Sequence, residues 1–551
     1  MAASYGLTRL EWDEELDLKS YPLWILHPQF VPMTTPLYTA VTVPLLAHGT
    51  QYACEVLQVP GNKGFDQRVI DGYVFMTSII TTDEERKQRE PIFRERLMPF
   101  IEDLDKEWHK FRDEWMAVIE PLKETELEKL SDMQLQLYWE DYLQANQRFW
   151  DVHFHLFWAV LPVYILFEDA CGELLSLGPQ DPGFKKLLAG FDNEIFKVNR
   201  ELWRLGDRAT ELGLAEVFIG TEDNEGILRA LGESDAGRKW LVEYQQFLKV
   251  RGWRTPKMLE WFSPSWIEQP SLGIGSIRQG IAKGGAFALD KERSHLTEER
   301  EEAESEVLAK IPADKKDWFE KLMRSAQKVG SWLEEHDYYL DLQANALGRH
   351  VTKEYGRRFA QRGVIDDPDD IYFLMLGEIQ KAAIPMGKVN LRPYVKRCRE
   401  EFDTYSKKEL PPIILGDPTK LPYMAQNDAA YRVQLTPQLV RPELKADLYG
   451  SGSAPGVVEG VARVVMSEAQ LDQVRSGEIL IAPATSAGWT PVFGIASGVV
   501  TDLGGALFHA VIVGREYGIP AVCGTGEATR KIKTGDRVKV DGDNCAVYIL
   551  K

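Results

Sequence analysis

From Thr81 to about Arg399, apolar residues recur three and four positions apart with charged residues between them, as in PIFRERLMPFIEDLDKEWHKFRDEWMAVIEPL. That spacing gathers the apolar side chains on one helix face, so the stretch predicts a large helical region. Asp290 to Lys310 (DKERSHLTEEREEAESEVLAK) is nearly all polar and predicts a solvated helix or connection. The first eighty residues are richer in proline and β-branched side chains (HPQFVPMTTPLYTAVTVPLL) and predict irregular structure packed on the helices.

Between Asp403 and Lys445 the periodicity lapses and six prolines intervene, the texture of a linker. Beyond it come short runs rich in Val and Ile and set apart by Gly: GVARVVM, EILIA, SGVVT, PAVCG, DRVKVDG and CAVYIL. These predict strands. One helix, ALFHAVIVGREY, is expected to open directly after Gly504-Gly505. The fold class that follows is multi-domain: a large, mainly α-helical domain over 1–405, a linker over 406–445 and a C-terminal α/β domain over 446–551.

Composition narrows the function. The 551 residues carry 84 acidic and 65 basic side chains, a formal net charge of −19. That balance argues against nucleic acid as the main partner. No uninterrupted apolar run reaches about 18 residues and the N-terminus lacks a signal-peptide pattern, so neither a membrane span nor secretion is expected. Five cysteines, odd in number and far apart, fit a reducing cytoplasm and exclude a CxxC site. Of 15 tryptophans, only Trp489 lies in the last quarter of the chain.

The most informative stretch is Val499 to Gly524, VVTDLGGALFHAVIVGREYGIPAVCG. Its order is strand, glycine turn, helix, Gly-Ile-Pro and strand, with His509 in the first helical turn. Free N–H groups and the positive dipole end make a helix N-terminus a good anion site. Adjacent glycines let backbone amides approach that anion closely. An imidazole there can carry a phosphoryl group. Taken alone, however, a His beside a Gly-Gly turn is more often a packed or capping residue. GSGSAPG at Gly450 is no dinucleotide fingerprint, because strand signals follow it.

Residues Thr501, Gly504, Gly505, His509, Ala510, Arg515, Glu516, Gly518, Ile519 and Pro520 resemble the signature of the swivelling phosphohistidine domain. That domain belongs to the PEP-utilising enzymes, among them phosphoenolpyruvate synthase, pyruvate phosphate dikinase and rifampin phosphotransferase. The flanking SGSAPGVVEGVARVV, GEILIAPATSAGWTP and TGDRVKVDGDNCAVYIL agree with it in order. The resemblance implies that His509 is phosphorylated and that Thr501 hydrogen-bonds near it. Asp502 departs from the usual Glu, and Leu507-Phe508 from the usual small hydroxyl pair. Relatives charge the histidine with an ATP-grasp domain, and some place a pyruvate-binding barrel after the carrier. Neither pattern is found here. The expectation is therefore a separate ATP-grasp subunit holding ATP and Mg²⁺, and an acceptor other than pyruvate.

Two helical segments, GWRTPKMLEWFSPSWIEQP (252–270) and EEHDYYLDLQANALGRHVTKEYGRRFAQRGVIDDPDDIYFLMLGEI (334–379), resemble the acceptor domain of rifampin phosphotransferase and the large subunit of phenylphosphate synthase. In the second, Arg349, Lys353 and Arg357 recur every four residues, along one helix face. By itself such a stripe reads as a solvated face paired with Glu354 or other acids. The resemblance makes Arg349 and Lys353 a catalytic pair that neutralises the transferring phosphoryl group.

The run from Phe149 to Phe167 is dense in aromatic residues and includes Trp158, His153 and His155. A large helical core is the simpler explanation of such a run. The two histidines, two apart on a helix, point to opposite faces and cannot share a metal. A phenol, with a pKa near that of Tyr at about 10, needs a base to attack near neutral pH. His153 or His155 is the candidate base, and Trp253 and Arg254 are candidate pocket residues. The resulting expectation is the carrier and acceptor subunit of a two-component dikinase-like phosphotransferase acting on a phenolic hydroxyl. A rifampin-type antibiotic phosphotransferase component and a non-catalytic binding protein keeping the carrier fold are the alternatives.

Overall fold

The computed structural model describes residues 10–179, 181–221, 223–383, 389–408, 410–434, 438 and 440–550. By contact the chain divides into two units. The first comprises residues 1–162, 259–264 and 339–432; the second comprises 163–258, 265–338 and 433–551. This division does not follow the change in texture along the sequence.

The first unit is helical around a small antiparallel sheet. Strands β1 (Leu23–Leu26), β2 (Asn62–Ile70), β3 (Tyr73–Ile80) and β4 (Ile413–Leu415) lie in the order β2-β3-β1-β4. Among the described residues, 10–80 are thus not irregular. The TAVTV segment, which reads as β-branched, lies in a 22-residue helix, Pro36–Leu57, that opens with proline in its first turn and carries Pro44 inside. Proline at the start of a helix loses nothing, since that N–H has no partner anyway. Thirteen or more buried side chains then outweigh the weak helix preference of Val and Thr, among them Leu37, Val41, Leu45 and Leu46.

The Pro-rich stretch also differs from a simple linker. Ile413, Ile414 and Leu415 pair with Ile25, Trp24 and Leu23, and Leu421–Asn427 forms a helix. Ladder bonds to β1 thus build its first half into the first unit; residues 435–437 and 439 lie outside the described residues.

The Asp132–Leu175 helix holds most of the aromatic run. It is long and apolar enough to cross a membrane, although 61% of its most apolar window is buried inside the protein. That stretch of 18 residues holds at most two Asp, Glu, Lys or Arg side chains. The Ala286–Lys310 stretch is the solvated helix that its polarity predicts.

In the second unit, residues 446–551 form a mixed sheet with strands at each expected place. These are β5 (Leu448–Tyr449), β6 (Gly452–Ala454), β7 (Val457–Val464), β8 (Ile479–Ala482), β9 (Gly498–Thr501), β10 (Ala521–Cys523), β11 (Arg537–Asp541) and β12 (Ala546–Leu550). Their order is β5-β12-β11-β7-β8-β9-β10-β6, with β7, β8, β9 and β10 parallel to their neighbours in that run. Alternation along β8 and β9 sends Leu480 and Val499 to one face, under the His509–Glu516 helix, and Ile479, Ile481 and Val500 to the other, under Ala528–Lys531. With both faces covered, the strands read as continuous apolar runs. Trp489 belongs to the helix-side core.

The glycine turn that precedes His509 is packed against β6. A Cβ on Gly452 would stand 2.4 Å from the Gly505 carbonyl carbon and 2.6 Å from the Ala506 nitrogen. Gly452→Ala is expected to destabilise the second unit by about 2–4 kcal/mol through forced backbone displacement, read from the urea midpoint.

Candidate functional site

His509 opens the His509–Glu516 helix, with Phe508 as its cap, three residues later than the glycine pair alone suggested. The turn that delivers it is fixed by several side chains. Gly504 has φ +133°, and a Cβ there would lie 3.0 Å from the Cys523 Cβ. Thr501, fully buried, donates its hydroxyl to the Leu503 carbonyl at 2.7 Å, so it pins the turn that delivers His509. Asp502 accepts from the Thr529 N–H at 3.0 Å and from its hydroxyl, anchoring the Ala528–Lys531 helix. Gly505 is held beneath Gly452, as described above.

The His509 ring is 8% exposed and stands edge-on to Phe493 at 5.3 Å. Its Nδ1 lies 3.0 and 2.9 Å from the two carboxylate oxygens of Glu334, itself 1% exposed. A carboxylate only accepts, so the proton sits on Nδ1 and the Nε2 lone pair is left available. Among the described residues, Nε2 has no hydrogen-bond partner. The bonded nitrogen orients the ring, and the open one can form a bond to phosphorus.

Glu334 comes from the last turn of the Lys316–His336 helix. Sequence reasoning missed it. Glu334 lies in the quoted EEHDYY segment, yet 175 positions separate it from His509, and no local pattern signals a pairing at that range. His336, two residues on, stacks on Trp332 at 4.5 Å, and its Nε2 faces Asp337 at 3.2 Å.

Arg515 and Glu516 close the same helix. Burial lowers the Arg515 pKa, and Arg515 makes no ion pair with Glu334, though it acts on it electrostatically. Glu516 accepts from the Phe191 N–H at 2.7 Å, and its carboxyl is pushed up to about 7, chiefly by burial and against the pull of Arg293 and Arg515. Lys185 donates to the Ser453 hydroxyl at 2.8 Å and the Gly542 carbonyl at 2.9 Å. The helical part of the second unit therefore grips the carrier sheet through polar contacts at several points. Arg254 also belongs to this unit. It is fully buried, packs 4.6 Å from the Trp266 ring, and burial lowers its pKa to about 10. Trp253 beside it is half-buried.

The remaining candidates lie in the first unit. Arg349 is buried on the Gln343–Gln361 helix, not solvated. Its Nη1 donates to the Trp261 and Phe262 carbonyls at 3.0 and 2.6 Å and to the Tyr372 hydroxyl at 3.3 Å. That loop is held in turn by Glu260. Its carboxylate accepts from the Trp261 and Phe262 N–H groups at 2.7 and 3.0 Å, and from the Thr35 N–H and hydroxyl at 2.7 and 2.8 Å. Lys353, one turn on, is exposed. Arg357 pairs with Glu354 at 2.6 Å, as the solvated-face reading has it.

His153 and His155 do face apart. His153 is buried with Nδ1 3.2 Å from Asp341 Oδ2, and Asp341 sits in a turn of π-helix over Asp337–Leu342. Such turns are frequent at functional sites. His155 packs against Phe111 at 5.0 Å and Phe100 at 6.2 Å, and burial lowers its pKa to about 4. His153 is thus the one with an orienting carboxylate. Trp158 is fully buried against Phe65 and Phe157.

Comparison with known proteins defines the class. Residues 474–545 match the mobile domain of the PEP-utilising enzymes, and residues 157–335 match the fourth domain of rifampicin phosphotransferase. The chain thus carries a PEP-utilising mobile domain joined to a rifampicin-phosphotransferase-type helical domain, and those two matches together fall almost wholly within the second unit.

Among individual proteins it is similar to an uncharacterized phosphotransferase, YvkC, of Bacillus subtilis, with 24% identity over 94% of this chain and 60% of that protein. It is 30% identical to the chondramide synthase cmdD of Chondromyces crocatus over 74% of this chain and 11% of that protein. It is 25% identical to a rifampicin phosphotransferase of Streptomyces sviceus over 61% of this chain and 37% of that protein. The chain spans less than two thirds of the length of each.

Because the Glu516 carboxyl has a pKa raised above its ordinary 4.5 to about 7, its protonation favours the folded state. That contribution is complete below pH 4.5 and is lost as the pH rises through about 7. Urea midpoints measured across that window should fall less steeply for Glu516→Gln than for the parent chain.

Proposed function

We propose that the protein is the carrier and acceptor component of a phosphohistidine-dependent phosphotransferase that acts on a phenolic hydroxyl. The carrying observation is the His509 imidazole at a helix N-terminus, with Nδ1 committed to Glu334 and Nε2 open. A separate ATP-grasp subunit, with Mg²⁺ accompanying the nucleotide there, would transfer the β,γ-diphosphoryl group of ATP to Nε2 and release AMP. Hydrolysis of its outer phosphate leaves phospho-His509 and inorganic phosphate.

In the second half-reaction the phenol oxygen attacks phosphorus and the P–Nε2 bond breaks, its electron pair returning to the imidazole. The phenolic proton passes to His153, whose Nδ1–H is held by Asp341 so that Nε2 is basic. Arg349 and Lys353 neutralise the equatorial oxygens. The sum is ATP, phenol and water giving AMP, aryl phosphate and inorganic phosphate. The density of aromatic side chains along the Asp132–Leu175 helix supports a flat, apolar acceptor. A macrocyclic acceptor of the rifampicin type is the second reading, favoured by the match over residues 157–335.

The test uses the chain alone. Phosphoramidate should phosphorylate His509 at Nε2, seen by ³¹P NMR, and a panel of simple phenols and rifampicin should then compete for the group. Aryl phosphate without rifampicin phosphate supports the phenolic reading; rifampicin phosphate alone selects the second; phosphate appearing equally in His509→Ala discards the carrier.

Arg349→Ala should leave His509 charging intact and slow transfer by about 10²–10³-fold. His153→Gln should slow it by about 10²–10⁴-fold and flatten its pH dependence, while His155→Gln should not.

A further inference from the structure

The pairing of Glu334 with His509 leaves a charge unresolved. One Nδ1–H is shared between both oxygens of a carboxylate that is 1% exposed, so Glu334 Oε2 lacks a donor of its own. A second carboxylate converges on the same place. Donor atoms of Glu334, Asp337 and His509 all lie within 4.8 Å of one another, in a setting where two of the three residues are buried and the third nearly so. Asp337 already lies 3.2 Å from His336 Nε2, so it is not idle, but that contact does nothing for Glu334. Arg515, the guanidinium that acts on Glu334, forms no ion pair with it.

Two carboxylates brought together in a low-dielectric interior repel unless a positive charge lies between them. Glu334 and Asp337, three apart at the end of one helix, share a face, and His509 approaches from the start of another. We propose that these three side chains form a site for a divalent cation, with one nitrogen and two carboxylate oxygens as ligands and water completing the shell. That donor set suits Mn²⁺ or Zn²⁺ and lacks the thiolates that would favour softer ions. The cation takes His509 through Nδ1, displacing the proton that otherwise bridges to Glu334. It ties the last turn of Lys316–His336 to the first turn of His509–Glu516, so its presence holds the carrier sheet against the helical part of its own unit. A cation-loaded site also fixes which histidine nitrogen stays open.

Binding is measured on the full, unphosphorylated chain without nucleotide or acceptor, so its outcome is independent of whether His509 carries phosphate. Mn²⁺ is the probe, because the five buried cysteines do not compete for it. The expected result is one equivalent bound, read by the loss of the free Mn²⁺ EPR signal. Affinity should fall at least about tenfold in Glu334→Gln, in Asp337→Asn and in His509→Ala. Asp337→Asn decides between a cation site and a plain histidine–glutamate hydrogen bond, since Asp337 takes no part in the latter. Absence of saturable binding, or binding unchanged in Asp337→Asn with its thermal midpoint intact, overturns the proposal.

Discussion

The placement of His509 rests on a single buried contact, the Nδ1–H shared by the two oxygens of Glu334. The glycine turn, the Thr501 hydroxyl and the pleat of β9 bring the imidazole to the edge of the sheet. None of them sets its rotation. A ring free to turn presents either nitrogen and scatters its lone pair over many directions. Held by Glu334 on one side and by the Phe493 edge on another, it presents one nitrogen in one direction. Orientation of this kind lowers the entropic part of a transfer barrier without any new bond.

The first unit solves a related problem for Arg349. A guanidinium buried this deeply needs acceptors, and it finds them in two backbone carbonyls of a short loop. Those carbonyls are useful only if the loop is rigid. Glu260 supplies the rigidity by accepting from the next two backbone N–H groups and from Thr35, more than two hundred residues away in the chain. Gly348 completes the arrangement, because a Cβ there would meet the Tyr142 hydroxyl and the Trp261 indole at 2.3–2.5 Å. Arg349 is therefore aimed by a chain of partners that starts at the opposite end of the sequence.

What the sequence discloses follows from range. The strands after residue 446 are legible because each is a short apolar run between glycines, and β7 to β12 fall on the runs that predict them. His509 is legible because its turn and helix are local. Glu334, Asp341 and Glu260 are not, since each acquires its role from a partner between 175 and 225 positions away. The Pro36–Leu57 helix and the β1–β4 ladder went unread for another reason: burial outweighs the local preference of β-branched residues and proline. The Arg349 stripe shows both sides of this. Its spacing correctly predicts a shared face, but Arg349, Lys353 and Arg357 lie buried, exposed and half-buried along it, so helical periodicity alone does not separate a clamp from a surface pair.

The division of the chain has a consequence for how such a protein can be altered or inherited. The polypeptide passes between the two units five times, at residues 162, 258, 264, 338 and 432. Only residues 446–551 make up a whole sheet in one uninterrupted piece. That piece can be exchanged as a cassette. A cut between residues 163 and 432 divides both units, since each has segments on either side of it. Exchange by shuffling is therefore less disruptive for the C-terminal sheet than for the part that surrounds Arg349.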